Sequence, residues 1–579
     1  MFKLLIMKEK ARSLALRRPI FILLMVIFCT FGCAQKVDKE LAKTKKKITR
    51  GAIHQSRNVD TLIRELSSDP QYLNPLISTD YNSMMIERLV FDPLIYIDDS
   101  PQSKLVGRLA EKWKISDDKL TITFFLRQGI TWHDGEPFTA EDVKFTFDMA
   151  LNEDIPAVRL KSIVEPLDRI EIVNPQAVSF HFKYPFSPGL SQVGTVFIVP
   201  KHRLQEKNLA SESERRNTRK PVTVLSTEFN RKPIGTGPYH LTEWKTAQHI
   251  KLTKNEDYWD KQNQPQISKI LFKIIPNRTV AFNILRKGDL DILRTRSIHY
   301  LSFLRMKDLH DEFLAEKFYE PAYYFIGWNL RPERKFFSDK RVRRAMTHAL
   351  DRHTFIEKAD YGLGRIITGP FYFKSWAYNP TVRPLPYDLE KAVDLLHAAG
   401  WYDHDGDGFL DKDGLKFDFE LLIASGSPTL GQLATIVQAN LRKLSISCSI
   451  RIFEWSVYLE RIHKGEFDAF ISGWGLGVDP DPYNVWHSSQ INSGNNSVAY
   501  ANEEVDKLLD EGRREFNRQK RQKIYWKIHE IIHNDQPYTF VYASVEKYIM
   551  SKRIKNYKVS PFGLFDFFPG QLAWNLKDE

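Results

Sequence analysis

The chain has 579 residues, more than one hydrophobic core usually organises, so two or more lobes are expected. Hydrophobic residues at 42% and charged residues at 27% exclude a disordered or membrane-embedded chain, and three cysteines exclude a disulfide framework in the body. The formal net charge of +12 is concentrated at the start, with six Lys/Arg against one Glu in residues 1–32 and eight against two acids in residues 33–57, so the remaining body is near neutral and carries no basic nucleic-acid surface.

In chain order, the first element is an address. Lys3, Lys8, Lys10, Arg12, Arg17 and Arg18 precede the short apolar run Ile20–Phe28. A basic region followed by a run too short to span a bilayer is a signal peptide, assigned to residues 1–32. It ends at Thr30-Phe31-Gly32-Cys33, which resembles a bacterial lipobox and makes Cys33 the lipidated mature N-terminus. Thr30 and Phe31 depart from the usual aliphatic and small residues of that motif. Residues 33–57 are polar and Lys-rich, without apolar periodicity, and read as a flexible tether.

The body alternates strand and helix patterns. Leu120, Ile122, Phe124 and Leu126 recur every second residue, the pattern of a half-buried strand. Thr139 then caps a helix with Asp142 in capping-box position, and Val143, Phe147, Ala150 and Leu151 form its apolar stripe. Ser338 precedes a helix carrying Val342, Ala345, Met346, Ala349 and Leu350. Another helix starts near Asp388 and stops at Gly400, a natural residue just past a helix end. Residues 205–232 read as a long polar surface connection. The mixture predicts an α/β fold.

Five blocks recur in a known order. The first runs from Ala110-Glu111-Lys112-Trp113 through Trp132-His133-Asp134-Gly135 to Val143. The others are Pro233–Tyr239, Asn255–Trp259, Phe337–Ala345, and Gly465–Ala469 leading to Trp474 and Asp479-Pro480-Asp481-Pro482-Tyr483. Together they resemble the signature of the family 5 extracellular solute-binding proteins, the oligopeptide- and dipeptide-binding proteins of ABC importers. The resemblance implies a type II (cluster C) periplasmic-binding-protein fold, two lobes joined by a hinge with an extra subdomain inserted in lobe I. The implied division is lobe I in residues 58–97, 221–320 and 543–579, the insert in 98–220, and lobe II in 321–542. It implies a monomeric, non-enzymatic receptor. Its partners would be a peptide, importer permease subunits and, through the lipid, a membrane, with no nucleic acid.

The resemblance also implies where ligand sits. Trp455 and Trp474 match two cleft tryptophans, Tyr323 and Tyr324 an aromatic segment entering lobe II, and Thr79 and Asp80 a lobe I segment that touches peptide. Family members place an Asp three residues after the cleft Trp to pair with a peptide amine. Here that position is Gly477, with Asp479 as a displaced anchor or with no amine recognised at all, which keeps a metal chelate or glycan fragment open as the solute.

Two motifs point to other chemistry. His529-Glu530-Ile531-Ile532-His533 fits the H-E-x-x-H of zinc peptidases, with Glu546 as a conceivable third ligand, against the plainer reading of a core helix. Asp403, Asp405, Asp407 and Asp411 around Gly406 and Gly408 resemble a calcium loop, against the plainer reading of an acidic turn. No other cofactor is expected, and P-loop and dinucleotide motifs are absent from the sequence.

Overall fold

The computed structural model describes residues 60–100, 103–205, 224, 227–477 and 479–576. The signal segment, Cys33, the tether and most of the 205–232 connection lie outside the described residues.

Lobe I is built on a seven-stranded mixed sheet. In spatial order its strands are Phe313–Tyr319, Val545–Ser551, Ile292–Arg294, Thr61–Leu66, Lys269–Ile274, His249–Lys254 and Tyr239–Lys245. Thr61–Leu66 runs parallel to both its neighbours, and the other pairs are antiparallel. The sheet therefore draws on widely separated stretches of chain. Inserted between the first two stretches is a four-stranded antiparallel sheet, in the order Ala110–Ile115, Thr121–Leu126, Ala177–Phe182 and Leu167–Asn174. Within Thr121–Leu126 the buried residues are Ile122, Phe124 and Leu126, the alternation read from sequence. The following helix, Ala140–Leu151, has both halves of the Thr139–Asp142 capping box.

The signature blocks turn out to be joints of the fold. A Cβ on Gly235 would lie 1.8 Å from the Val90 carbonyl oxygen, and one on Gly237 2.5 Å from it. Only glycine lets these backbones meet. The Gly235 N–H donates to His133 Nδ1 (3.2 Å), so His133 carries its proton on Nε2 and donates to the Gly237 carbonyl (2.9 Å). Burial holds this imidazole neutral, with its pKa lowered to about 4. The buried Asp92 carboxylate accepts from Trp259 Nε1 (2.9 Å), the Tyr258 hydroxyl (3.2 Å) and Arg108 (3.4 Å). Those donors satisfy a charge that would otherwise be costly to bury.

Lobe II is a five-stranded sheet in the order Ser447–Phe453, Asp418–Ala424, Ala469–Gly475, Ala322–Trp328 and Tyr538–Tyr542. Helices cover both faces. Ile326 and Trp328 pack into one core with the helices Lys340–Ala349, Leu389–Ala398 and Pro428–Arg442, while Tyr323 and Phe325 pack into a second with Arg518–Asp535. Gly400, at φ +88°, ends the Leu389–Ala398 helix region as expected. The core clusters of lobe I contain no residue between 322 and 542. From lobe I, Tyr319 at the end of its strand packs against the lobe II core, edge-on to Phe373 at 4.7 Å.

The chain crosses between the sheets twice. Strand Phe313–Tyr319 of lobe I leads through Glu320-Pro321 into Ala322–Trp328 of lobe II, and Tyr538–Tyr542 leads back through Ala543-Ser544 into Val545–Ser551. The crossings lie side by side, because the Glu320 N–H donates to the Ser544 carbonyl (3.3 Å).

Candidate functional site

Polar contacts join the lobes where apolar packing stops. At the hinge, Lys547 of lobe I reaches Asp360 of lobe II at 3.0 Å and Ser297 of lobe I at 2.9 Å, with the charged side chains under 10% exposed. Next to it Arg294 clamps Glu546 and lies over the Tyr81 ring at 4.8 Å, while the Tyr81 and Tyr548 hydroxyls meet at 3.3 Å. Glu320, at the first crossing, has its carboxyl pushed upward by burial and by the neighbouring Glu546. At the far edge, lobe II meets the inserted subdomain. The Ser187 N–H donates to the Arg513 carbonyl (2.7 Å), and Arg513 binds both Asp481 (2.9 Å) and the Tyr184 hydroxyl (3.0 Å).

Between hinge and far edge lie cavities walled by both halves. One of about 450 Å³ takes Arg278, Arg294 and Lys547 from lobe I and Tyr324, Asp360 and Ser427 from lobe II. A second of about 750 Å³ has Lys317, Tyr319, Gly362, Lys374 and Pro561 in its walls. A third of about 310 Å³ includes Ser187, Trp376, Asp479, Arg518, Arg521 and Phe562.

An open strand edge adjoins this region. Strand Ala469–Gly475 pairs along its whole length with Ala322–Trp328, but on its other side pairs with Asp418–Ala424 only at Ala469 and Phe470. Leu476 N–H turns to the Pro321 carbonyl, whereas the Ile471 carbonyl accepts from the Tyr458 hydroxyl (2.7 Å). Alternation then directs the amide groups of Gly473 and Gly475 toward the unpaired edge. Both glycines are exposed, and a Cβ on Gly475 would meet nothing within 4 Å.

The sequence-derived site residues divide among these places. Tyr324 lines the 450 Å³ cavity and stacks on Tyr542 at 5.0 Å. Trp474 sits on the open-edged strand, parallel to Phe325 at 6.5 Å. Trp455 is 54% exposed at the start of its helix, stacked on Tyr458. Thr79 is exposed, and Asp80 caps the helix Tyr81–Val90 through Ser83 N–H (2.9 Å). The structure brings Tyr324 and Asp479 into cavity walls and leaves Thr79, Asp80, Trp455 and Trp474 outside the three cavities.

Tyr323 requires correction. It is 2% exposed within the lobe II core against Phe325 and Phe540, because strand alternation turns it to the face opposite Tyr324. The idea of Asp479 as a free amine anchor is corrected too. Both its oxygens bind Arg521 Nη1, at 2.8 and 3.0 Å, so the carboxylate is already neutralised by the chain. Burial pushes its pKa upward against that pairing.

The zinc-peptidase alternative fails on geometry. His529 is fully buried, its Nδ1 accepts from the Asn379 N–H (3.1 Å), and its protonated Nε2 donates to Thr368 Oγ1 (2.9 Å). Neither nitrogen has a lone pair left for a metal. Glu530 accepts from Asn379 Nδ2 (2.9 Å), His533 Nδ1 donates to the Thr368 carbonyl (2.9 Å), and Glu546 is held by Arg294. Burial lowers the two imidazoles to about 3 and about 4, so both serve as neutral packing groups. In the acidic turn, Asp403, Asp405 and Asp411 offer oxygens within 4.8 Å of one another, but Asp407 turns to Lys416 at 2.7 Å.

Sequence reasoning missed Tyr81, Arg294, Asp360 and Lys547, whose partners lie far away in the chain.

Comparison with known proteins closes the assignment. Residues 104–497 match the model for the bacterial extracellular solute-binding proteins, family 5 Middle. The chain is 33% identical over 561 residues to the oligopeptide-binding protein AppA of Bacillus subtilis, covering 95% of this chain and 97% of that one. It is 30% identical over 482 residues to heme-binding protein A of Haemophilus influenzae, covering 80% and 83%. Its fold matches the structure of Bacillus subtilis AppA in complex with a nonapeptide at a TM-score of 0.74 and 32% identity, over 90% of this chain and 99% of that one. The chain belongs to the bacterial extracellular solute-binding proteins of family 5, a family of transport-associated binding proteins rather than enzymes.

Proposed function

We propose that this protein captures oligopeptides between its lobes and delivers them to the membrane permease of an ABC importer. The observation that carries the reading is the open edge of Ala469–Gly475. Gly473 and Gly475 offer backbone groups that an extended peptide can pair with as an added strand, independent of its side chains. Cavities between the lobes, one of them walled by Tyr324 opposite Gly473, offer room for side chains of varied shape. The polar seam between lobes suits closure by hinge rotation, because the core clusters of lobe I take no residue from lobe II. The peptide-bound AppA structure, matched over nearly its full length, supports the same reading.

The test is incubation of purified protein with a mixed peptide library, followed by native mass spectrometry and thermal unfolding. Peptides of several residues are expected to bind, raise the melting temperature and return uncleaved. Stabilisation by heme or a metal chelate, with no response to any peptide, would reject the reading.

The signal and lipobox-like segment support anchoring through Cys33 at the outer face of a membrane. Cys33→Ser is expected to move the protein from the membrane fraction to the soluble extracytoplasmic fraction. Unchanged membrane retention would count against the lipid.

A further inference from the structure

We propose that the inserted subdomain is a latch for lobe II: by gripping Arg513 at the far edge it holds the two halves together through the chain's own groups, and so sets how fast any solute enters and leaves. Arg513 is in this sense a positioning residue. The latch rests on the oligopeptide reading only for the choice of probe.

The grip has two parts. The first is a helix end. Helix Glu503–Arg514 leaves its last carbonyls without partners inside the helix. Two of them are met from the other half. The Ser187 N–H donates to the Arg513 carbonyl (2.7 Å), and the Ser187 hydroxyl donates to the Gly512 carbonyl (3.4 Å). Lobe II thus takes a helix cap from the subdomain.

The second part is the Arg513 side chain, which is buried. Its Nε and Nη2 donate to Asp481 of lobe II at 3.1 and 2.9 Å, while its Nη1 donates to the Tyr184 hydroxyl of the subdomain at 3.0 Å. The guanidinium carbon lies 3.8 Å from the ring centre of Tyr483 in lobe II and 5.2 Å from that of Phe186 in the subdomain. Gln192 of the subdomain adds a donor to Asp481 at 3.4 Å. A planar fork serves such partners together in fixed directions, which a flexible ammonium does not.

These contacts are independent of the solute. Arg513, Asp481, Tyr184 and Gln192 line none of the three cavities between the lobes. They also lie at the far edge of the seam from the crossings at Glu320 and Ser544, where hinge rotation moves groups furthest. Opening breaks the same bonds in the empty protein and in the loaded one. Where both forms are mostly closed, a contribution common to both slows entry and release together and nearly cancels from the affinity.

The test uses the full chain and two variants. Tyr184→Phe/Gln192→Met withdraws the subdomain's side-chain partners, and Arg513→Lys keeps a cation beside Asp481 but loses the fork. Hydrogen exchange read by mass spectrometry follows the Ser187 amide in the solute-free protein. Stopped-flow mixing follows entry and release of a tripeptide and a nonapeptide of unrelated sequence. The Ser187 amide of the wild type is expected to be protected, and both variants to exchange it about tenfold faster, the worth of one bond to a charged group. Entry and release are expected to quicken by about the same factor for both peptides, with dissociation constants kept within about twofold. Amides of strand Ala177–Phe182 report whether the subdomain itself stays folded, and Arg513→Lys decides the case if the double variant loosens it. Quickened release of one peptide only, or a matching loss of affinity, assigns these residues to solute contact and overturns the latch. A Ser187 amide that exchanges freely in the wild type overturns it as well, as do rates and protection that the variants leave unchanged. If neither peptide binds, the oligopeptide reading falls and the exchange experiment alone decides the latch.

Discussion

Glu87 shows how one buried group sets a dependence on pH. It is fully buried, with one oxygen accepting from the Ser78 hydroxyl (2.9 Å) and the other without a partner. Burial pushes its carboxyl up to about 7. Between the ordinary Glu value and that figure the folded state binds more protons than the unfolded one, so stability falls as pH rises through the interval and stays lowered above it. Glu87→Gln replaces the acid with a neutral group of the same shape. The variant is expected to match the wild type near pH 4 and to exceed it by about 3 kcal/mol at pH 8, read from urea midpoints. A difference of the same size at both pH values would refute the assignment. Cys448 is the opposite kind of buried group. Burial pushes its thiol up to about 12, which leaves it unreactive.

Among elements, strand Ala469–Gly475 matters most, because half of one edge is unpaired. Gly475→Pro removes a single N–H on that edge and places its ring in open space. Peptide affinity is expected to drop about tenfold, the worth of one lost hydrogen bond, with the melting temperature nearly unchanged. Unaltered affinity in a calorimetric titration would move the peptide elsewhere. At this scale the sequence was readable wherever a signal is local. The Thr139–Asp142 cap, the alternation through Phe124 and the close approach at Gly235 each follow from a few neighbouring residues. Tyr323 and Tyr324 were not separable, because both faces of the lobe II sheet are covered and a fully apolar strand does not say which face meets the hinge. Asp479 could not be read either, since its partner Arg521 lies 42 positions away and contact comes only with the fold.

For the whole molecule, the bond between lobes is electrostatic. Lys547 and Asp360 are buried on opposite sides of the hinge, so removing one leaves the other charge stranded. Lys547→Met is expected to cost about 3–5 kcal/mol. Pairing it with Asp360→Asn should recover most of that loss, measured by denaturant unfolding. If the double substitution is as damaged as the single one, the pair does not carry the seam.

The path of the chain also orders its assembly. Strand Val545–Ser551 sits between Phe313–Tyr319 and Ile292–Arg294, inside the lobe I sheet rather than at its rim. During synthesis or export, the first lobe to emerge must therefore wait, with a gap in its middle, until all of the second has passed through the membrane. Truncation just before Val545 should yield a folded second lobe attached to an unfinished first one, a natural substrate for extracytoplasmic proteases.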